Sequence, residues 1–258
     1  MFYNSINNVH RSETERTTQS RDNNLTIGRI APDFMALTTQ GYIRFSDYRG
    51  KWVIFSSTPM AFTSVSTTEM IGAAMMYPEL QKRNTEFIVL TTDNNYANLA
   101  WINEIYQKTG VLIPFPIISD NDKVIASLYG MMSPDRLFDI TVRDSFLINP
   151  EGYIRSILTL PITCGRSGDE LLRVIDSLQI TENYGLATPA GWKPGDAVVI
   201  PAPNTVDGMM EVNQQTDPNR MCPFWYLCYT NLSSVIEADD NTADPELSAQ
   251  CFYKKNQK

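Results

Sequence analysis

The sequence holds a single histidine in 258 residues, His10, within a polar N-terminal stretch. A Ser-His-Asp triad therefore has no base to build on, and a histidine-based metal site has no ligands. The nucleophile-elbow pattern G-x-S-x-G is missing at Ser66, because Ser64 and Thr68 stand where its glycines would be. Lysine and arginine number 21 against 29 acidic residues, a formal charge of −8. A nucleic-acid binder carries a basic footprint, and this chain has none. No apolar run approaches the ~18 residues that suggest a transmembrane helix. Glycine is sparse, and no glycine-rich phosphate loop or internal repeat is present. The run Asp239-Asp240-Asn241-Thr242-Ala243-Asp244 lacks the central glycine and closing glutamate of a calcium loop and reads as a solvated acidic loop. Neither a metal nor a cofactor is expected. Four cysteines, Cys164, Cys222, Cys228 and Cys251, are too few for a secreted disulfide scaffold. Three of them crowd into a polar, acidic C-terminal segment that offers little core to bury a thiol.

What is present is an ordinary globular balance, with 43% hydrophobic residues and enough length to bury a core. Residues 1–24 are polar and of mixed charge, without the apolar core of a signal peptide, and read as a flexible extension. Cytoplasm is the expected location. From residue 25 the chain alternates strand-like and helix-like segments. KWVIFSS (51–57) and TEFIVLTTD (85–93) read as buried strands. TTEMIGAAMMYPELQKRN (67–84) reads as a helix with Glu69 in its first turn and Pro78 as a break or kink. NNYANLAWINEIYQKTG (94–110) reads as a helix capped by Gly110. Asn149-Pro150-Glu151-Gly152 supplies the turn of a later hairpin. This order predicts an α/β fold with a mixed parallel and antiparallel sheet. Proline and glycine gather from residue 185, which sets the expected boundary between a core over 25–185 and a C-terminal domain and arm over 186–258.

One junction between strand and helix stands out, STPMAFTSVSTTEM at 57–70. Taken singly, its pieces have plain uses. A Thr-x-x-Ser at a helix start is an N-cap pattern, and Arg143 or Arg166 alone suggests a surface ion pair. Cys164 reads as packing or an incidental thiol, and Cys251 as a bystander. Taken in order, the pieces resemble the peroxiredoxin family. Pro59, Thr63, Thr67, Thr68 and Glu69 match its active-site loop P-x-x-x-T-x-x-C followed by T-T-E, with Ser66 where the family has its peroxidatic cysteine. IAPDF (30–34), TGVLIPFPIISDND (109–122), TVRDSFLINPEG (141–152) and LPITCGRSGDELLRVIDSLQ (160–179) resemble further family segments. ATPAGWKPGDAVVIP (187–201) is similar to the one-Cys-type subgroup with a long C-terminal domain, and Cys222 to Cys228 resembles the C-x5-C arm of its archaeal-type members. Thr58 departs from the histidine that the subgroup carries before the proline.

The resemblance implies a thioredoxin-like fold, a mixed central sheet flanked by helices with a C-terminal extension. It implies a thiol peroxidase acting on hydrogen peroxide and alkyl hydroperoxides with a dithiol reductant such as thioredoxin. It implies a homodimer that assembles into a ring, commonly a decamer, with no membrane or nucleic-acid partner. Arg143 would supply the cation beside the nucleophile. Thr63 would hydrogen-bond nucleophile and substrate, and Pro59 would shield them. Glu69 would hold an arginine in place, with Arg166 as the second arginine. Cys222 or Cys228 would be the resolving thiol, with Cys228 favoured. A free thiol titrates at about 8.5 and can be shifted toward thiolate by a helix terminus and an arginine. A serine hydroxyl cannot, so the chain as written is expected to be nearly inactive. Three accounts follow: a peroxidase whose cysteine is replaced by serine; a natural pseudo-peroxiredoxin acting as scaffold or holdase; and a dithiol electron carrier working through Cys222 and Cys228 alone.

Overall fold

The computed structural model describes residues 25–133, 139–233 and 235. The expected extension over 1–24, the acidic loop at 239–244 and Cys251 lie outside the described residues. The chain divides into two compact units, one ending at Arg166 and the other beginning at Ser167.

The first unit is built on a seven-stranded sheet. Its elements are β1 (Met35–Thr38), β2 (Gly41–Arg44), β3 (Trp52–Ser57), α1 (Ser64–Lys82), β4 (Thr85–Thr91), α2 (Asn95–Thr109), β5 (Ile117–Ser119), α3 (Val124–Leu128), β6 (Arg143–Ile148) and β7 (Ile154–Leu160). The strand order is β2-β1-β5-β4-β3-β6-β7. β3, β4 and β5 run parallel, while β6 lies antiparallel to β3 and β7 antiparallel to β6. The strands β3 and β6 are buried along their whole length, as expected of strands covered on both faces. One face carries Val53, Phe55, Ile88, Leu90, Phe146 and Ile148, which pack with Phe45 and Tyr129. Tyr129 stands edge-on to Phe55 at 4.8 Å and to Phe146 at 5.3 Å between ring centres, and its hydroxyl donates to the Pro32 carbonyl.

Gly110 caps α2 in the left-handed conformation, and Asn94 caps its other end by accepting from the Ala97 N–H. The hairpin between β6 and β7 turns at Asn149–Gly152, with the Gly152 N–H donating to the Asn149 carbonyl. Gly152 has φ +90°, and a Cβ there would fall 1.2 Å from the Arg49 guanidinium. Gly152→Ala is therefore expected to cost roughly 1–3 kcal/mol, read as a lower urea midpoint at unchanged slope.

Two expectations about α1 are corrected. The helix begins at Ser64, three residues earlier than the sequence suggested, so Glu69 sits in the second turn. Serine, threonine and valine are indifferent helix formers, and tertiary hydrogen bonds described below hold this turn instead. The helix also runs through Pro78 to Lys82 without ending there.

The second unit holds α4 (Gly168–Tyr184), β8 (Val198–Ile200), α5 (Val206–Gln214), β9 (Arg220–Phe224) and β10 (Leu227–Thr230), with a small sheet in the order β8-β10-β9. Gly185, at the expected boundary, is the left-handed residue that ends α4. Trp192, in the stretch singled out at 187–201, is buried and donates its indole N–H to the Asp196 carbonyl. Among the described residues, no helix is long and apolar enough to cross a membrane.

Candidate active site

The junction singled out in the sequence lies at the carboxyl end of β3, beside that of its parallel neighbour β4. In open α/β sheets this is the edge where ligands bind. Thr58 continues the ladder by donating its N–H to the Leu90 carbonyl. Asp93, just past β4, accepts from the Ala61 N–H at 2.7 Å and so holds the loop. Burial pushes the Asp93 carboxyl up, with the Ala61 hydrogen bond opposing. Phe62, exposed, takes a left-handed φ of 57° immediately before the helix. Thr63 then occupies the N-cap position, but its hydroxyl does not cap the first turn. It lies 2.8 Å from the Met60 carbonyl oxygen and 2.6 Å from Ser66 Oγ. The capping use of Thr-x-x-Ser is thus set aside, and the hydroxyl is spent on Ser66 and the loop.

Ser66 is the third residue of α1 and is fully buried. Its backbone N–H belongs to the first turn, where N–H groups have no intrahelical partner and the helix dipole is positive. Arg143, the first residue of β6, is brought alongside because β6 pairs with β3. Its Nη1 donates to Ser66 Oγ at 3.3 Å, to Thr58 Oγ1 at 3.5 Å and to Glu69 Oε2 at 2.6 Å. Its Nε donates to the Ile162 carbonyl at 2.9 Å. The guanidinium is 2% exposed, so its position is fixed by these partners.

Glu69 gathers two arginines. Arg166 grips it with Nε on Oε1 at 2.9 Å and Nη2 on Oε2 at 2.8 Å, and adds its own backbone N–H on Oε1 at 2.7 Å. Arg166 Nη1 reaches the Asp144 carbonyl and Ser145 Oγ. Burial alone would raise the Glu69 carboxyl, but the hydrogen bonds and charge of Arg166, with the charge of Arg143, outweigh it and hold the carboxyl below its ordinary range. The chain Ser66–Arg143–Glu69–Arg166 is one buried polar network.

The sequence brought Pro59, Thr63, Ser66, Glu69, Arg143 and Arg166 forward, and all six meet in this network or its loop, with Pro59 buried one residue before Met60. It missed Asp93 and Trp101, the partner of Thr67. Trp101, buried on α2, donates its indole N–H to Thr67 Oγ1 at 3.1 Å, and Thr67 Oγ1 donates to the Thr63 carbonyl at 2.8 Å. An acid at the end of a buried strand was a readable signal for Asp93. Nothing in the spacing marked Trp101. Cys222 and Cys228 stand on β9 and β10 of the second unit and are bonded to each other as a disulfide. Cys164 is a free, exposed thiol.

Comparison with known proteins agrees with this geometry. Residues 27–157 match the AhpC/TSA family model, and residues 177–215 match the C-terminal domain of 1-Cys peroxiredoxin. The chain belongs to the peroxiredoxin family. It is 44% identical to peroxiredoxin 2 of Caldanaerobacter subterraneus subsp. tengcongensis over 79% of its own length and 91% of that protein. Among solved structures it is similar to a yeast mitochondrial 1-Cys peroxiredoxin, whose description concerns thiol resolution by glutathione and thioredoxin systems. That likeness has TM-score 0.71 and 36% identity, over 80% of this chain and 99% of the other. It is also similar to a cysteine-to-serine mutant of the peroxiredoxin 6 of Arenicola marina, with TM-score 0.71 and 33% identity over 80% of this chain and 97% of that one. The peroxiredoxin sheet with its flanking helices is the thioredoxin-like fold, here with a C-terminal extension that carries the C-x5-C pair.

Proposed function

We propose that this peroxiredoxin carries a site for hydrogen peroxide and alkyl hydroperoxides in which Ser66 stands at the position of the peroxidatic sulfur, leaving the chain as given nearly inactive. One observation carries this reading. Three sources of positive potential converge on Ser66 Oγ: the first turn of α1, the Thr63 hydroxyl and the Arg143 guanidinium. A neutral hydroxyl carries a proton of its own that must also find an acceptor. A thiolate would use all of these donors.

A sulfur there would attack one peroxide oxygen. The O–O bond breaks as the S–O bond forms, and the departing alkoxide or hydroxide takes a proton. Arg143 would stabilise both the thiolate and the charge moving onto the leaving oxygen. Thr63 has one proton to share between the Met60 carbonyl and the nucleophile, and a thiolate would claim it. Glu69 and Arg166 position Arg143. Cys222 or Cys228 would resolve the sulfenic acid, with a dithiol such as thioredoxin as final reductant. The assembly would be a ring of homodimers, a decamer, in the cytoplasm. A natural pseudo-peroxiredoxin is the second reading, supported by the hydrogen bonds that Ser66 Oγ accepts from Thr63 and Arg143.

Sulfenic acid trapping separates the two. After a peroxide pulse, Ser66→Cys with Cys222 and Cys228 both changed to serine is expected to give a dimedone adduct at position 66. The chain with Ser66 and the same two changes is expected to give none there. A folded Ser66→Cys chain without the adduct would favour the scaffold.

A further inference from the structure

The second unit holds a cavity of about 350 Å³ where the end of α5 meets the edge strand β9. Asn213, Gln215, Asp217, Arg220, Cys222 and Trp225 line it. The volume lies at the low end of small-molecule sites, roughly 300–1,000 Å³. Its walls are tied together. Gln215, the C-cap of α5, sets its Nε2 3.1 Å from Cys222 Sγ. The Cys222–Cys228 bond joins β9 to β10, the central strand of the small sheet. The disulfide serves here as a wall, and no thiol chemistry is involved.

Two groups in the lining have binding capacity that the chain itself does not use. The first is Arg220, which Asp217 orients. The Arg220 backbone N–H donates to the Asp217 carbonyl at 3.1 Å, and its Nε faces the Asp217 carboxylate at 3.1 Å. The other oxygen of that carboxylate accepts from the Asn219 N–H at 2.9 Å. Both terminal nitrogens of Arg220 are left without a hydrogen bond among the described residues. A guanidinium fork fixed in this way matches the shape of a planar carboxylate. The second is Trp225, which is 39% exposed. Tyr226 stands at 87° to it with ring centres 5.5 Å apart, and Tyr226 is itself stacked on Phe224 at 5.2 Å. The indole is thus a braced wall on which an aromatic ring can pack. Among the described residues the Asn213 side chain makes no hydrogen bond, and the Gln215 side-chain carbonyl accepts none. Both oxygens can receive a proton from a ring substituent such as a hydroxyl. The formal charge of −8 works against polyanions, and the Asp217 carboxylate beside the fork repels a second negative charge. A monoanion with a ring is the ligand that satisfies all of these groups.

We infer that this cavity binds a small aromatic carboxylate, with its ring on Trp225 and its carboxylate on the terminal nitrogens of Arg220. Asn213 and Gln215 accept from a hydroxyl on the ring. No residue of the first unit takes part, so the site stands apart from the reading of Ser66.

The test uses the full-length oxidised chain with isotope-labelled indole nitrogens, followed by nuclear magnetic resonance. Trp52, Trp101 and Trp192 are buried, so Trp225 supplies the one exposed indole of the four. The probe is 4-hydroxybenzoate. Its addition is expected to shift the Trp225 indole resonance saturably and to leave the other three in place, with Trp225→Phe removing and so assigning that resonance. Arg220→Gln is expected to raise the dissociation constant about tenfold, the fold-change of one charge-assisted contact. The neutral 4-hydroxybenzamide is expected to bind the parent chain and Arg220→Gln equally, which shows that the cavity survives the substitution. Arg220→Lys, which keeps the charge and loses the fork, is expected to fall between. Cyclohexanecarboxylate, with the charge and no aromatic ring, is expected to bind roughly two- to tenfold more weakly than the probe. A Trp225 resonance that does not shift saturably would overturn the inference. So would equal weakening of both hydroxylated probes by Arg220→Gln, equal binding of cyclohexanecarboxylate, or tighter binding of phenyl phosphate than of the carboxylate. None of these outcomes bears on the dimedone experiment at position 66.

Discussion

Ser66→Cys is expected to raise peroxide consumption with a dithiol reductant by roughly four orders of magnitude or more, which corresponds to about 5.5 kcal/mol of barrier. The reason is electrostatic. A cysteine beside a cation and at a helix N-terminus titrates between about 3.5 and 7.5, so at neutral pH the nucleophile is already ionised. Arg143 is in place and buried with residue 66, with Thr63 half-buried beside them, and these donors need no reorganisation during reaction. Stopped-flow kinetics would give the rate directly. Adding Arg143→Ala to Ser66→Cys is expected to slow the reaction by about 10²–10³, the range for losing one preorganised charge donor, with the circular dichroism spectrum unchanged. A Ser66→Cys chain that is folded and inert would end the peroxidase reading of this site. An unchanged rate after Arg143→Ala would remove Arg143 from its role.

Glu69→Ala is expected to lower stability by roughly 3–5 kcal/mol, because it leaves two cations buried side by side without their counter-charge. Arg143 and Arg166 are 2% and 7% exposed, so water cannot substitute. Glu69→Gln keeps the volume and separates charge from packing. Its signature is in the pH dependence. The Glu69 carboxyl in the folded chain titrates below its ordinary 4.5. The stability it contributes is thus present above the unfolded value and is lost as pH falls through the folded one. Urea midpoints between about pH 3 and pH 6 are expected to fall less steeply on acidification for Glu69→Gln than for the parent chain. Parallel acid limbs would show that Glu69 is not held ionised by its arginines.

The sheet was readable because β3 and β4 are short apolar runs with few alternative uses. Gly110 and Gly152 were readable because their conformations admit few other residues. The start of α1 was not, since Ser64, Val65 and Ser66 have no helical preference and are held by contacts that come from α2 and β6. Arg143 lies 77 residues from Ser66, and Arg166 lies 97 from Glu69. Local pattern cannot bring together groups so far apart, and only the ordered resemblance to a known family did so. In the arm, the hairpin β9–β10 went unseen. Its first strand is mostly exposed and contains Pro223, so neither alternation nor apolar content marked it. The helix α5 was hidden by the prolines and glycines that precede it.

The segment from Ile162 to Arg166, where the first unit ends, has no regular structure, yet both its ends are tied into the buried network. The Ile162 carbonyl takes the Arg143 Nε proton, and the Arg166 N–H is donated to Glu69. Fraying at this joint would therefore uncover the ion cluster and loosen Arg143 at the same moment. In hydrogen-exchange terms, the Arg166 amide is expected to exchange with the slow, cooperative unit of the sheet and not with the loops.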